Sequence, residues 1–163
     1  MTLKPKLLIF SEWLSKKSSK FSIALLLILY IIFSVVIFPF FKNLYGLQDQ
    51  ALLDVLFGFT PERAYEIITD YGNLGRRGIF IITGIVDFLY PLIYGPLLAL
   101  LLSRLIINLD CTISGRLIIL VPFVAVLFDY IENAGIIFMI ADYPNMNIAI
   151  AWLTSIAGIL KWL

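Results

Sequence analysis

Asp87, Asp129 and Glu132 lie inside stretches that are otherwise almost wholly apolar. Asp87 interrupts GIFIITGIVDFLYPLIYGPLLALLLS (78–103), and FDYIENAG (128–135) places Asp129, Glu132 and Asn133 inside LIILVPFVAVLFDYIENAGIIFMIA (117–141). A carboxylate at the centre of a bilayer costs about 3 kcal/mol on insertion scales, and such groups face a bundle interior or a watery cavity. Buried carboxylates in that setting can hold a proton, bind a cation or polar solute, or work as a paired acid and base. On a helix, Thr83, Asp87, Tyr90 and Tyr94 share one face, and Asp129, Glu132 and Asn133 stand at i, i+3 and i+4. If the two stretches are antiparallel spans, Asp87 and Glu132 each lie nine residues from the outer end. That is about 13 Å deep at 1.5 Å per residue, with Asp129 one turn deeper.

Three carboxylates at one level cannot all ionise cheaply in a low dielectric, so a proton or a cation must balance them. Arg77, at the outer end of its span, is the nearest cation in sequence. The expected site is therefore a proton, cation or polar-ligand site built from Asp87, Asp129, Glu132, Asn133, Tyr90, Tyr94, Arg77 and Thr83. The competing reading is a closed polar network that only fixes helix register. Pro91, one turn beyond Asp87, is placed to kink the helix beside the site.

Histidine is absent, which removes His-ligated haem, ordinary zinc sites and imidazole acid-base chemistry. Cys111 is the single cysteine, so neither an intrachain disulfide nor a Cys-x-x-Cys pair exists. No cofactor and no metal centre is expected. Phosphate-cradling and dinucleotide motifs and a Gly-x-Ser-x-Gly elbow are also missing. A net charge of +1 with no basic patch argues against nucleic acid.

Gly72-Asn73, Val86-Asp87-Phe88 and Ile140-Ala141-Asp142 resemble motifs of the lipoprotein signal peptidases, small four-span aspartyl proteases. In that family the catalytic aspartates lie close in sequence at an external membrane face. Here Asp87 and Asp142 are 55 residues apart, Asp87 is deep, and an Asn-x-Gly-Ala motif is missing. The resemblance ends at isolated residues.

The elements that must position the acids follow from composition. The chain has 163 residues, 61% of them hydrophobic and 14% charged, with a mean hydropathy of +1.00. Four continuously apolar runs, 21–41, 78–103, 117–141 and 146–163, approach or exceed the length needed to cross a bilayer as helices. The expected fold is an all-α integral membrane protein, an antiparallel four-transmembrane-helix bundle forming a single membrane domain over 1–163. Eight basic residues, five of them in the 1–20 segment and one of them Lys161, fall on one side of these spans and four on the other. Both termini are thus expected in the cytoplasm of a multi-pass cell (inner or plasma) membrane protein. The first run is long and lacks a small-residue cleavage site, so it is read as a retained span. Leu7, Leu8, Phe10, Trp13 and Leu14 among lysines suggest a surface helix before it.

The 42–77 connection is expected to be an external amphipathic helical loop. Thr60-Pro61-Glu62 marks one helix start, Ala64, Tyr65, Ile67 and Ile68 form its apolar stripe, and Gly72 stops it. A second amphipathic piece is expected over 47–57. Asn147, Ala151, Thr154 and Gly158 make a small and polar stripe suited to close helix approach. The expected function is binding or transport of a proton, cation or small polar solute. The alternatives are an accessory or assembly subunit and a membrane-embedded enzyme acting on lipid or peptide through paired carboxylates. The expected partners are the lipid bilayer, a second copy of the chain as a homo-oligomer, or another membrane subunit.

Overall fold

A computed structural model of the chain describes residues 9, 10, 12–14, 18–106 and 117–163, and among these all regular structure is helical. The helices are α1 (Lys20–Leu44), α2 (Pro61–Asp70), α3 (Gly72–Ile106), α4 (Leu117–Asp142) and α5 (Ile148–Trp162). Three of them, α1, α3 and α4, are long and apolar enough to cross a membrane, which marks the chain as a membrane protein. The shorter apolar α5 folds back along α4. Cys111, Arg116, Leu7, Leu8 and the lysines at 4, 6, 16 and 17 lie outside the described residues.

Ser19 caps α1, its hydroxyl accepting from the Ser22 N–H at 3.0 Å. Pro39 offers no N–H to the carbonyl four residues earlier, and the preceding turn, Phe33–Ile37, widens to π geometry. No residue of α1 is buried, as its unbroken apolarity leads one to expect. It rests on α3 through an aromatic cluster and, nearer its start, through Ile23 and Leu26 beside Ala99 and Leu100. Tyr30, Phe33 and Phe38 surround Tyr90 at centroid distances of 5.5, 6.2 and 5.2 Å. Before α1, Ile9, Phe10 and residues 12–14 are helical, and Leu14 is buried with Ala99, Leu100 and Ile119 at the opposite end of α3 and α4 from the 45–71 connection. The Phe10 ring lies 5.9 Å from Trp13 and 5.8 Å from Phe123.

Helix α2 forms where its start signal puts it. The Thr60 hydroxyl accepts from the Arg63 N–H, Pro61 takes the first turn, and the stripe Ala64, Tyr65, Ile67 and Ile68 is buried. Gly72, at φ +60°, makes the break before α3. The helix expected over 47–57 does not form, and the segment holds only a 3-10 turn at Leu53–Val55. Its apolar residues are spread around every face of a helix, so no single stripe would be buried by coiling. Instead the chain from Leu56 to Thr60 runs outside any helix along α5. The Phe59 N–H donates to Ser155 Oγ at 2.8 Å, and the Asp54 carbonyl accepts from Lys161 Nζ at 2.9 Å. Gly58, at φ +80°, passes so close to α5 that a Cβ there would lie 2.9 Å from Ile159 Cδ1.

Two further glycines set the α4–α5 spacing. A Cβ on Gly135 would collide with Thr154 Oγ1, and one on Gly158 would collide with Glu132 Oε1. The small stripe of α5, with Ala151 and Thr154 wholly buried, is what permits this approach. Gly135→Ala is therefore expected to destabilise the protein by about 1–3 kcal/mol, as overpacking does in a filled core. Gly84→Ala, whose Cβ would meet only Ile137 Cδ1 at 3.6 Å, should be near neutral. Unfolding in detergent mixtures measures both, and equal stability of the two variants would contradict this account of the interface.

Candidate functional site

The acids of α4 meet a cation from α5. Lys161 Nζ lies 3.1 Å from Asp129 Oδ1 and 2.5 Å from Glu132 Oε2, and all three side chains are buried or nearly so. The geometry follows from helix periodicity: Asp129 and Glu132 are one turn apart on the face of α4 that α5 covers, and α5 runs antiparallel from Asn147. Gly158 leaves room for the Glu132 carboxylate, and the next turn of α5 delivers the lysine. The Asp54 carbonyl caps the ammonium from the other side at 2.9 Å. Two carboxylates and one carbonyl thus surround one –NH3+ group, whose three N–H bonds suit three acceptors.

From α3, the Tyr94 hydroxyl donates to the second oxygen of Asp129 at 2.9 Å. Asp87 and Thr83 are buried on the same helix, and the Asp87 carboxyl adjoins the Asn133 side chain. Between Thr83 and Asp87 the helix makes a π turn, Ile82–Val86, which shifts the face that the following residues present. Tyr90, whose ring lies 5.5 Å from that of Tyr94, also reaches α1. Its hydroxyl pairs with Ser34 Oγ of α1 at 3.1 Å, so it serves the α1–α3 contact. The helix is interrupted at Tyr90 ahead of Pro91, and nearby the Phe88 carbonyl accepts from the Tyr130 hydroxyl at 3.0 Å. Asn133 is 4% exposed, and neither atom of its amide finds a hydrogen-bond partner among the described residues. Glu132 is fully buried, and its Oε1, the oxygen facing Gly158, is likewise unpartnered there.

Of the eight residues expected at the site, Thr83, Asp87, Asp129, Glu132 and Asn133 are thus buried, and the half-buried Tyr94 reaches Asp129. Arg77 is the main correction. It lines a hollow at the start of α3 and the end of α4 with Asn73, Arg76, Phe80, Ile140 and Ala141, and the cation beside the acids is Lys161. Sequence reasoning counted Lys161 as a charge flanking the last span. Its spacing held a clue, because Lys161 lies three residues beyond Gly158 on the small stripe. Asp54 and Ser155 were missed as well, since nothing in an irregular loop announces which helix it will follow.

Among the described residues, no group of three His, Cys, Asp or Glu side chains is arranged to hold a metal ion. The arrangement can store, exchange or pass a proton between acids while an internal ammonium balances part of their charge. No protein-family model matches the chain, and neither a curated protein nor a solved structure matches it.

Removing one partner of a buried ion pair leaves an uncompensated charge, so Lys161→Met is expected to cost about 3–5 kcal/mol. Adding Asp129→Asn and Glu132→Gln to that variant should recover much of the loss. Chemical unfolding of the single and triple variants measures this, and a single variant as stable as wild type would remove the pair from the centre of the fold. At the cap, burial pushes the Asp54 carboxyl above its ordinary range, against the opposing pull of Lys161. A carboxyl raised by folding favours the protonated form. Stability should therefore be greatest in acid and fall as pH rises from the ordinary carboxylate range through the raised value. Asp54→Asn should flatten that acid-side slope in a pH series of melting temperatures.

Proposed function

We propose that the protein is a small polytopic membrane protein that binds a proton within its helices and passes it across the bilayer or uses it to drive a polar solute. The observation that carries this reading is the ammonium of Lys161 bridging Asp129 and Glu132, with Tyr94 on the remaining Asp129 oxygen. Three buried acids face one ammonium, and in a low dielectric the deficit is most simply filled by a proton. A metal cation is the less favoured ligand, because the position between the two acids of α4 is already taken by a tethered –NH3+. Protonation of Glu132 or Asp129 would weaken its hold on Lys161 and free α5 to shift against α4. In this reading α5 is a fourth span, the 45–71 segment covers the outer side, and both termini lie on the cytoplasmic side of an inner or plasma membrane.

A second reading, an accessory subunit or a homo-oligomer, is favoured by one observation. Val121, Val124 and Leu127, at the end of α4 away from the turn to α5, are exposed. Helices of a neighbouring subunit would complete that side.

Proton flux into proteoliposomes carrying the full chain and an internal pH-sensitive dye separates the two readings. The first predicts flux above that of protein-free vesicles, reduced to background by Asp129→Asn or Glu132→Gln in samples that remain monodisperse. Background flux in wild type, with a membrane protein co-purifying under mild solubilisation, would favour the subunit reading.

A further inference from the structure

The hollow that holds Arg77 has no part in the acid cluster, and its chemistry differs. It has a volume of about 430 Å³ and is lined by Asn73, Arg76, Arg77, Phe80, Ile140 and Ala141. Gly72 opens α3, so the two arginines lie in its second turn, about 6–8 Å below the helix end at 1.5 Å per residue. Ile140 and Ala141 belong to the last turn of α4. The hollow thus sits at the shared outer end of two membrane-spanning helices, polar toward the helix ends and apolar toward the bilayer core.

Arg76 is held in place before any ligand arrives. Its Nη1 donates to the Ile68 carbonyl at 3.2 Å, its Nη2 donates to Asn73 Oδ1 at 2.6 Å, and its guanidinium stacks 4.3 Å from the centre of the Tyr143 ring. These contacts use some of its five N–H donors and fix the plane of the rest. Arg77 beside it is exposed. Among the described residues neither arginine forms an ion pair, and the nearby Asp142 carboxylate accepts instead from Asn145 within its own turn. Two positive charges therefore stand together at headgroup depth without an ion pair among the described residues, on the side where basic residues are fewer. An arginine fork matches two oxygens of one phosphate.

The geometry points to a site for the phosphate of an anionic phospholipid, held between Arg76 and Arg77 with its glycerol and acyl carbons against Phe80, Ile140 and Ala141. The apolar floor selects the lipid over a free phosphate ion, which would gain nothing from it. A doubly cationic site with no carboxylate among its lining residues selects an anionic headgroup over a zwitterionic one, whose ammonium it would repel.

The test uses the full chain in phosphatidylcholine nanodiscs, with phosphatidylglycerol or inorganic phosphate added. Melting temperature and native mass spectrometry of the released protein are the readouts. Phosphatidylglycerol is expected to raise the melting temperature saturably and to remain as one adduct per chain. Arg77→Gln, at an exposed position, should melt as wild type in phosphatidylcholine alone while losing both the shift and the adduct. Arg77→Lys should retain part of each, and Arg63→Gln, an equal loss of charge on α2, should retain both in full. An equal shift with inorganic phosphate would overturn the lipid assignment in favour of a free-anion site. Retention of the adduct by Arg77→Gln, or the same response to both lipids, would overturn the site itself.

Discussion

An ammonium group away from water must be surrounded by acceptors or it will not stay there. Lys161 meets that requirement with Asp129, Glu132 and the Asp54 carbonyl, and each of these comes with a structural demand. The two carboxylates require α5 to lie antiparallel on one face of α4 and in one register. The carbonyl requires the chain after α1 to leave helical structure and dip beside α5. Glu132 in turn requires Gly158, because any side chain there would occupy the position of its Oε1. Sliding α5 by one residue would rotate Lys161 by about 100° and strand three charges in apolar surroundings.

The path of the 45–60 segment follows the same logic of polar satisfaction. Backbone without helical hydrogen bonds is tolerated beside a membrane interior only where protein groups take its N–H and C=O. Ser155 accepts from Phe59 N–H, Lys161 donates to the Asp54 carbonyl, and the Tyr71 hydroxyl donates to the Ala51 carbonyl. Meanwhile Leu47, Leu53 and Phe59 enter the core with the α2 stripe. The loop is thus built into the bundle. It links the outer helix α2 to the acid cluster through a few residues of continuous packing.

What the sequence made legible was whatever depended on local periodicity. The long apolar runs, the start of α2 at Thr60-Pro61, its buried stripe, the stop at Gly72 and the facing of Asp129 and Glu132 into the protein all follow from spacing along one helix. The misses arise where a distant segment decides the outcome. Arg77 looked like the partner of the acids because it was near in sequence and long enough to reach inward, yet it is exposed and lines the hollow at the start of α3. By a simple count Tyr90 shares a face with Asp87 and Tyr94, yet its hydroxyl pairs with Ser34 of α1. The 47–57 piece read as a second amphipathic helix, and only the presence of α5 shows that its backbone groups have partners elsewhere. Lys161 was hidden by a rule that treats a basic residue at the end of an apolar run as an interfacial anchor.

The composition of the cluster bears on whether it merely locks the helices. A lock needs charges that cancel, and an apolar replacement of a buried ion pair is often equally stable or more so. A pair kept only for register would need one acid opposite one base. Here Lys161 is shared by two acids, Asp87 adds a third carboxyl on the facing helix, and the Asn133 amide and Glu132 Oε1 are left without partners among the described residues. Three carboxyls beside a single tethered ammonium leave the count of acids and cations unequal. Lysine suits that arrangement better than arginine would, because an ammonium can rotate among acceptors as a point charge where a guanidinium would fix two of them in a plane. The unequal count of acids and cations thus supports the proposal of a cluster whose charge can change, with α5 as the element whose hold on α4 would change with it.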